Sequence, residues 1–251
     1  MKYYKTFLII ITVVLSFQPL FSQTNSKPVY VIVHGAWGGG WAFKKVDSLL
    51  RETGSMAYRP TLTGQGERVH LATKDVGLDT HITDVVNTIL FENLNNVILI
   101  GHSYGGMVVT GVADRIPERI MKLIYIDAFV PEDNESILSI SGRREIGFEI
   151  SNGYIIPPWV QEGTSPPKDV PHPMKTWTDS LSLKNPERLK IKTTFILTVI
   201  KGGDPKQDDF YSQAERAMKK GWSIFELEAD HNAQRSAPEE FVNLLKEIEN
   251  K

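Results

Sequence analysis

The chain of 251 residues contains no cysteine. That single absence excludes disulfides, a cysteine nucleophile, a lipidated N-terminal cysteine and thiolate metal ligands. Stability has to come from the core. Charge of either sign is also scarce in excess, with a formal net charge of −2. An even balance gives no electrostatic reason to expect nucleic acid as a partner. The six histidines show no H-E-x-x-H or comparable spacing, so no metal site is expected. G-K-[ST] and G-x-G-x-x-G are missing too, which leaves the Gly38-Gly39-Gly40 stretch without the signature of a phosphate loop. No cofactor is expected. The chain has no internal repeats and no low-complexity tracts.

What is present fits an ordinary globule, at 41% hydrophobic and 23% charged residues. The N-terminus reads separately. Lys2 and Lys5 form a basic start, and Phe7–Phe17 is an apolar run of eleven residues before Pro19. Such a run is too short to span a bilayer as a folded helix. With the small Ser22 at its end it reads as a signal peptide over residues 1–22, cleaved before Gln23. The mature chain, 23–251, is expected to be exported, periplasmic or extracellular, without a stable membrane anchor.

The mature sequence alternates buried strands with amphipathic helices. Val29–Val33, Met56–Arg59, Val97–Ile100, Leu123–Ile126, Thr194–Ile200 and Ser223–Leu227 read as strands. Helical periodicity runs over Trp41–Thr53, from a cap at Asp79 through Leu90, over Met107–Ile116, over Asp208–Lys220, and from Pro238 through Ile248. The pattern predicts an α/β fold, a mostly parallel central sheet with helices on both faces. Between about 131 and 190 proline concentrates, with Pro157-Pro158, Pro166-Pro167, Pro171 and Pro173. This stretch reads as a small lid inserted into a single domain.

In sheets of this kind the ligand crevice lies beyond the carboxyl ends of the strands. His34, Ser103, Asp127, Gly202–Asp204 and His231 all stand just past predicted strand ends. Ser103 lies in Gly101-His102-Ser103-Tyr104-Gly105, the G-x-S-x-G form of a nucleophile elbow. A serine needs a base, and the base needs an orienting acid. His231 follows the last strand and precedes the last helix, the chain order expected of the base. His34 and His102 read as turn residues, His70 and His81 as solvated surface, and His172 as part of the insert. Asp204, after two glycines that let the chain turn, is the expected acid. Asp208 and Asp209 read as helix-start carboxylates and Asp127 as a structural rival. The backbone N–H groups of Ala36 and Tyr104 are the expected oxyanion donors.

Taken together, Val33-His34-Gly35-Ala36-Trp37, Thr61–Arg68, Gly101–Gly106, Asp127–Pro131 and Asp230-His231 resemble the α/β-hydrolase superfamily. The resemblance is to its small-lid branch of plant methylesterases, hydroxynitrile lyases and bacterial carboxylesterases of the pyrethroid type, and it covers nearly all of residues 28–250. It implies an esterase of the EC 3.1.1 kind with Ser103 as nucleophile, His231 as base and Asp204 as acid. Lyases of the branch carry threonine after the loop histidine and lysine after the catalytic one. Gly35 and Asn232 stand there instead, which argues against lyase chemistry. Trp37, Tyr104, Phe129, Trp159 and Trp177 are candidates to line an apolar pocket for a small-to-medium hydrophobic ester. The competing reading is a non-catalytic binding or sensing protein on the same fold.

Overall fold

A computed structural model describes residues 28–142 and 145–251. The signal-peptide segment read over 1–22 lies outside the described residues. Among the described residues nine strands form two sheets: β1 Val29–Val33, β2 Met56–Tyr58, β3 Val97–His102, β4 Ile120–Ile126, β5 Ile150–Ser151, β6 Tyr154–Ile155, β7 His172–Pro173, β8 Lys192–Val199 and β9 Ser223–Glu228. The helices are α1 Lys44–Glu52, α2 Leu78–Phe91, α3 Gly105–Arg115, α4 Ile137–Ile140, α5 Lys175–Thr178, α6 Tyr211–Lys219, α7 Ala233–Ser236 and α8 Pro238–Asn250.

The main sheet has the order β2-β1-β3-β4-β8-β9, and every pairing in it is parallel. Strand alternation sends side chains to two cores. Tyr30, Ile32, Ile98, Ile100, Ile124 and Ile126 pack with α1 and α8 through Val46, Leu50, Phe241 and Leu245. Val31, Val33, Leu99, Leu123 and Tyr125 pack on the other face with α2, α3 and α6. Burial on both faces is why these strands read as nearly continuous apolar runs. Helix α2 begins at Leu78, with Gly77 at its cap position. Asp79, expected as the cap, sits inside the first turn and pairs with Arg115 of α3.

The segment between β4 and β8 has little regular structure. It holds the three two-residue strands β5–β7 and the four-residue helices α4 and α5. Polar clasps fix it to the sheet side. Asp114 of α3 accepts from Asn185 N–H and Asp179 accepts from Leu78 N–H of α2, while Asp133 accepts from Leu183 N–H within the segment itself. Among the described residues no helix is long and apolar enough to cross a membrane.

Candidate active site

Ser103 occupies the turn between β3 and α3 with φ +54°. A non-glycine residue in this region is uncommon and marks a backbone held in place by its surroundings. Three bonds do so: Ser103 N–H donates to Ile126 O at 3.2 Å, Phe129 N–H donates to Ser103 O at 3.2 Å, and Gly106 N–H donates to Ser103 O at 3.1 Å. Gly105 has no side chain for a steric reason. A Cβ there would lie 2.6 Å from Val33 O. Gly35 lets the neighbouring loop reach the serine, since a Cβ would meet Ser103 Cβ at 3.0 Å.

His231 follows β9 in the loop before α7. Its Nδ1 lies 3.2 Å from Asp127 Oδ2. Phe210 stacks on its ring at 4.8 Å and 10°. His102 donates from Nε2 to His231 O at 2.7 Å, holding the backbone of the histidine it faces. Burial pushes the His102 pKa well below its ordinary value. It stays neutral and keeps this donor role rather than acting as a base.

The acid expected at Asp204 is not the group that meets the histidine. Asp204 is exposed and accepts from Lys206 N–H at 3.0 Å, capping the short turn Pro205–Gln207. The two preceding glycines turn the chain outward, and the carboxylate is spent on its own local turn. Asp127, weighed above as the structural rival, fills the place instead. It is fully buried with φ +40°. Its Oδ1 accepts from Thr198 N–H at 2.7 Å, and its Oδ2 accepts from Thr198 Oγ1–H as well as facing His231. Asp208 borders the same space and accepts from Phe210 N–H at 2.8 Å. Its pKa is raised, first by burial and further by the nearby Asp127.

Ala36 and Tyr104 flank the serine, and among the described residues neither backbone N–H meets a protein acceptor. The tyrosine ring is buried, and burial raises its phenol pKa well above the ordinary value. The protonated hydroxyl donates to His81 Nδ1 at 2.8 Å, while His81 Nε2–H donates to Thr63 O at 2.9 Å. His81 is therefore core, not the solvated surface residue its polar neighbourhood suggested. His34 is buried as well. It donates from Nδ1 to Gly35 O and accepts from Leu62 N–H, tying the loop to the chain after β2. Desolvation drives both histidines down to a pKa of about 4.

Two cavities meet at Ser103. One of about 500 Å³ lies under the inserted segment, bordered by Tyr104, Phe129, Ile137, Phe148 and Trp177. The other, of about 380 Å³, runs along α7 past Gln234 and Arg235. Both share Ala36, Trp37, Ser103, Trp159 and His231. The candidate pocket residues Trp37, Phe129, Trp159 and Trp177 thus all border the larger cavity, as does Tyr104. Trp37 is the hub. It packs edge-on against Phe148, Trp159 and Trp177 at 5.1, 5.0 and 5.6 Å. Its backbone has φ +62°. Three bonds from the insert hold it: Trp37 N–H to His172 Nδ1 at 3.2 Å, Nε1–H to Ile155 O at 3.0 Å, and Val170 N–H to Trp37 O at 2.9 Å. Among the described residues no group of three or more acidic or histidine side chains is arranged to hold a metal ion.

A strained serine at a strand-to-helix turn, with a histidine and a buried carboxylate at neighbouring strand ends, is the frame of an α/β-hydrolase. The chain belongs to the alpha/beta hydrolase family, whose model matches residues 30–244. It is 34% identical over 238 residues to a carbendazim hydrolyzing esterase of Nocardioides sp. (strain SG-4G), covering 86% of this chain and 97% of that one. It is 27% identical over 265 residues to the pFDCC methylesterase of Arabidopsis thaliana, covering 90% and 97%. The crystal structure of that methylesterase superposes with a TM-score of 0.70 at 23% identity, over 89% of this chain and all of the other. The resemblance to methylesterases and bacterial carboxylesterases therefore holds across the chain, and its relatives are ester hydrolases.

Proposed function

We propose that the protein is a serine carboxylic-ester hydrolase working through an acyl-enzyme, with Ser103, His231 and Asp127 as the catalytic residues. The observation that carries this is the contact of buried Asp127 Oδ2 with His231 Nδ1 beside the serine elbow. A carboxylate at Nδ1 fixes the proton there and leaves Nε2 free to accept. His231 Nε2 takes the Ser103 proton as Oγ bonds to the ester carbonyl carbon. The negative oxygen that develops is met by the N–H groups of Ala36 and Tyr104. Collapse breaks the bond to the alkoxy oxygen, which leaves with the proton from His231. Water, activated by the same histidine, then splits the acyl-enzyme and restores the serine. Asp127 stabilises the imidazolium without taking its proton. The 500 Å³ cavity, with Phe129, Ile137, Phe148 and Trp177 among its walls, suits the acyl part of a small-to-medium hydrophobic ester.

A fluorophosphonate probe with peptide mapping tests the proposal. Labelling at Ser103, together with a Ser103→Ala variant that loses about a thousandfold or more in kcat on short p-nitrophenyl esters, is the expected result. Tight reversible ligand binding with no labelling and no turnover would replace it with the binding-protein reading.

A further inference from the structure

The second cavity is lined by a different set of side chains from the first. It passes from Ser103 and His231 along the segment that follows the histidine, and its outer wall is polar: Asp169, Asn232, Gln234 and Arg235. Arg235 lies on the face of Trp41, 4.7 Å from the ring centroid. Its one ion-pair neighbour among the described residues is Asp169, at 4.0 Å, beyond hydrogen-bond range. The Asp169 carboxylate accepts instead from Trp159 Nε1–H at 2.8 Å. A guanidinium held over an aromatic ring, with its fork of donors left over, is positioned for an oxygen acceptor. Gln234, 2% exposed, lines the same wall, and its Oε1 has no partner among the described residues.

Direction follows from the chemistry. Tyr104, one of the two oxyanion donors, borders only the larger cavity. The acyl chain extends that way from a carbonyl placed between Ala36 and Tyr104. The alkoxy oxygen must face His231 to receive its proton, and the alcohol component then continues along α7. Building on the ester-hydrolase reading above, we infer that the α7 cleft is an alcohol-side subsite that selects esters whose alcohol carries a carboxylate or carbonyl oxygen, recognised by Arg235. The substrate class is accordingly an ester that carries an oxygen acceptor on its alcohol side.

Four butyrate esters test this, with the alcohols glycolate, glycolamide, 1-propanol and choline. The readout is kcat/KM for the wild type, Arg235→Met and Arg235→Lys. Comparing each variant with wild type on each ester cancels the intrinsic reactivity of the leaving groups. Arg235→Met is expected to lose about fivefold more on the glycolate ester than on the propyl ester, a modest ratio because the arginine is half-exposed. Glycolamide should fall between the two, and Arg235→Lys should recover part of the glycolate rate by restoring charge. Equal losses on all four esters overturn the inference, as does a wild-type preference for the choline ester, which would make Asp169 the recognising group. Thermal unfolding of both variants separates a folding defect from a recognition defect, and a folded Arg235→Lys alone suffices to decide. Hydrolysis of none of the four by wild type, with Ser103 unlabelled by fluorophosphonate, overturns the ester-hydrolase reading itself.

Discussion

The catalytic edge of the sheet and the segment that covers it are held in place by different means. Ser103 and Asp127 end the adjacent strands β3 and β4, and the partner of Asp127 is Thr198 of β8. Their positions follow from continuous parallel ladders and two buried cores. The covering segment has no such frame. Its strands are two residues long, and polar clasps and the aromatic cluster around Trp37 fix it. Where the two regions meet, the oxyanion loop belongs to both. Ala36 follows β1, yet Trp37 beside it is gripped by Ile155, Val170 and His172 of the covering segment. The edge therefore carries the reactive groups, and the cover sets the fine position of one donor. Changes on the edge should abolish chemistry, and changes at the seam should grade it.

The sharpest way to break this contrast is Asp127→Asn. Asparagine keeps the shape, and its Oδ1 can still accept from Thr198 N–H. Its amide turns a donor toward His231 Nδ1, which forces the proton onto Nε2 and removes the base. The expected loss in kcat is about ten-thousand-fold, with little change in unfolding temperature. A loss under about tenfold would move the orienting role to another carboxylate, with Asp208 the next to test.

Acid should act on both regions at once. His34 and His102 are buried at the edge, His81 and His172 at the seam. Burial holds all four below the ordinary histidine value, and His34 and His81 reach about 4. Unfolded, each would bind a proton near pH 6.5. Their contribution is fully present above about pH 6.5 and is lost as pH falls below it, for His34 and His81 down to about 4. For His34 and His81 the loss is about 3 kcal/mol each across that window. Urea midpoints measured from pH 7 to pH 4 should fall steadily. A flat profile would mean that these histidines are not desolvated in solution.

At the seam, His172→Phe removes the ring Nδ1 that faces both Trp37 N–H and Gln65 Oε1. An orphaned buried polar group costs about 1–3 kcal/mol, and part of that should appear as a shifted Ala36 donor. We expect kcat to fall about tenfold with KM nearly unchanged, because the donor acts most strongly on the developing oxyanion. His172→Asn, which keeps an acceptor, should recover part of the rate. A rise in KM at constant kcat would instead make His172 part of the pocket wall.

How far these features were legible in the sequence depended on what fixed them. The strands of the main sheet were readable because burial on two faces leaves apolar runs, whereas the two-residue strands β5–β7 leave no such run. The elbow was readable because a serine turn between a strand and a helix requires small neighbours. His81 and His172 were not, since polar loop residues fold inward through specific partners such as Tyr104, Thr63 and Gln65 that leave no periodic trace. Asp127 and Asp204 both follow strand ends, so the strand-end rule could not choose between them. The choice was made by loop conformation. One aspartate turns inward with positive φ beneath His231, and the other turns outward to cap its own chain.

Asp204→Ala is the smallest change and the complement of Asp127→Asn. It removes a side-chain cap from a three-residue turn at the surface. Losing a cap costs typically about 1 kcal/mol, and less where the capped element is short and exposed. The expected outcome is a drop in unfolding temperature of a few degrees at most and a kcat within about twofold of wild type. Steady-state kinetics beside a thermal melt reads both. A large fall in kcat with an unchanged melt would show that the loop after β8 closes onto His231 during turnover. The orienting carboxylate would then come from a mobile loop, and the division between a rigid edge and an adjustable cover would have to be redrawn through the catalytic residues themselves.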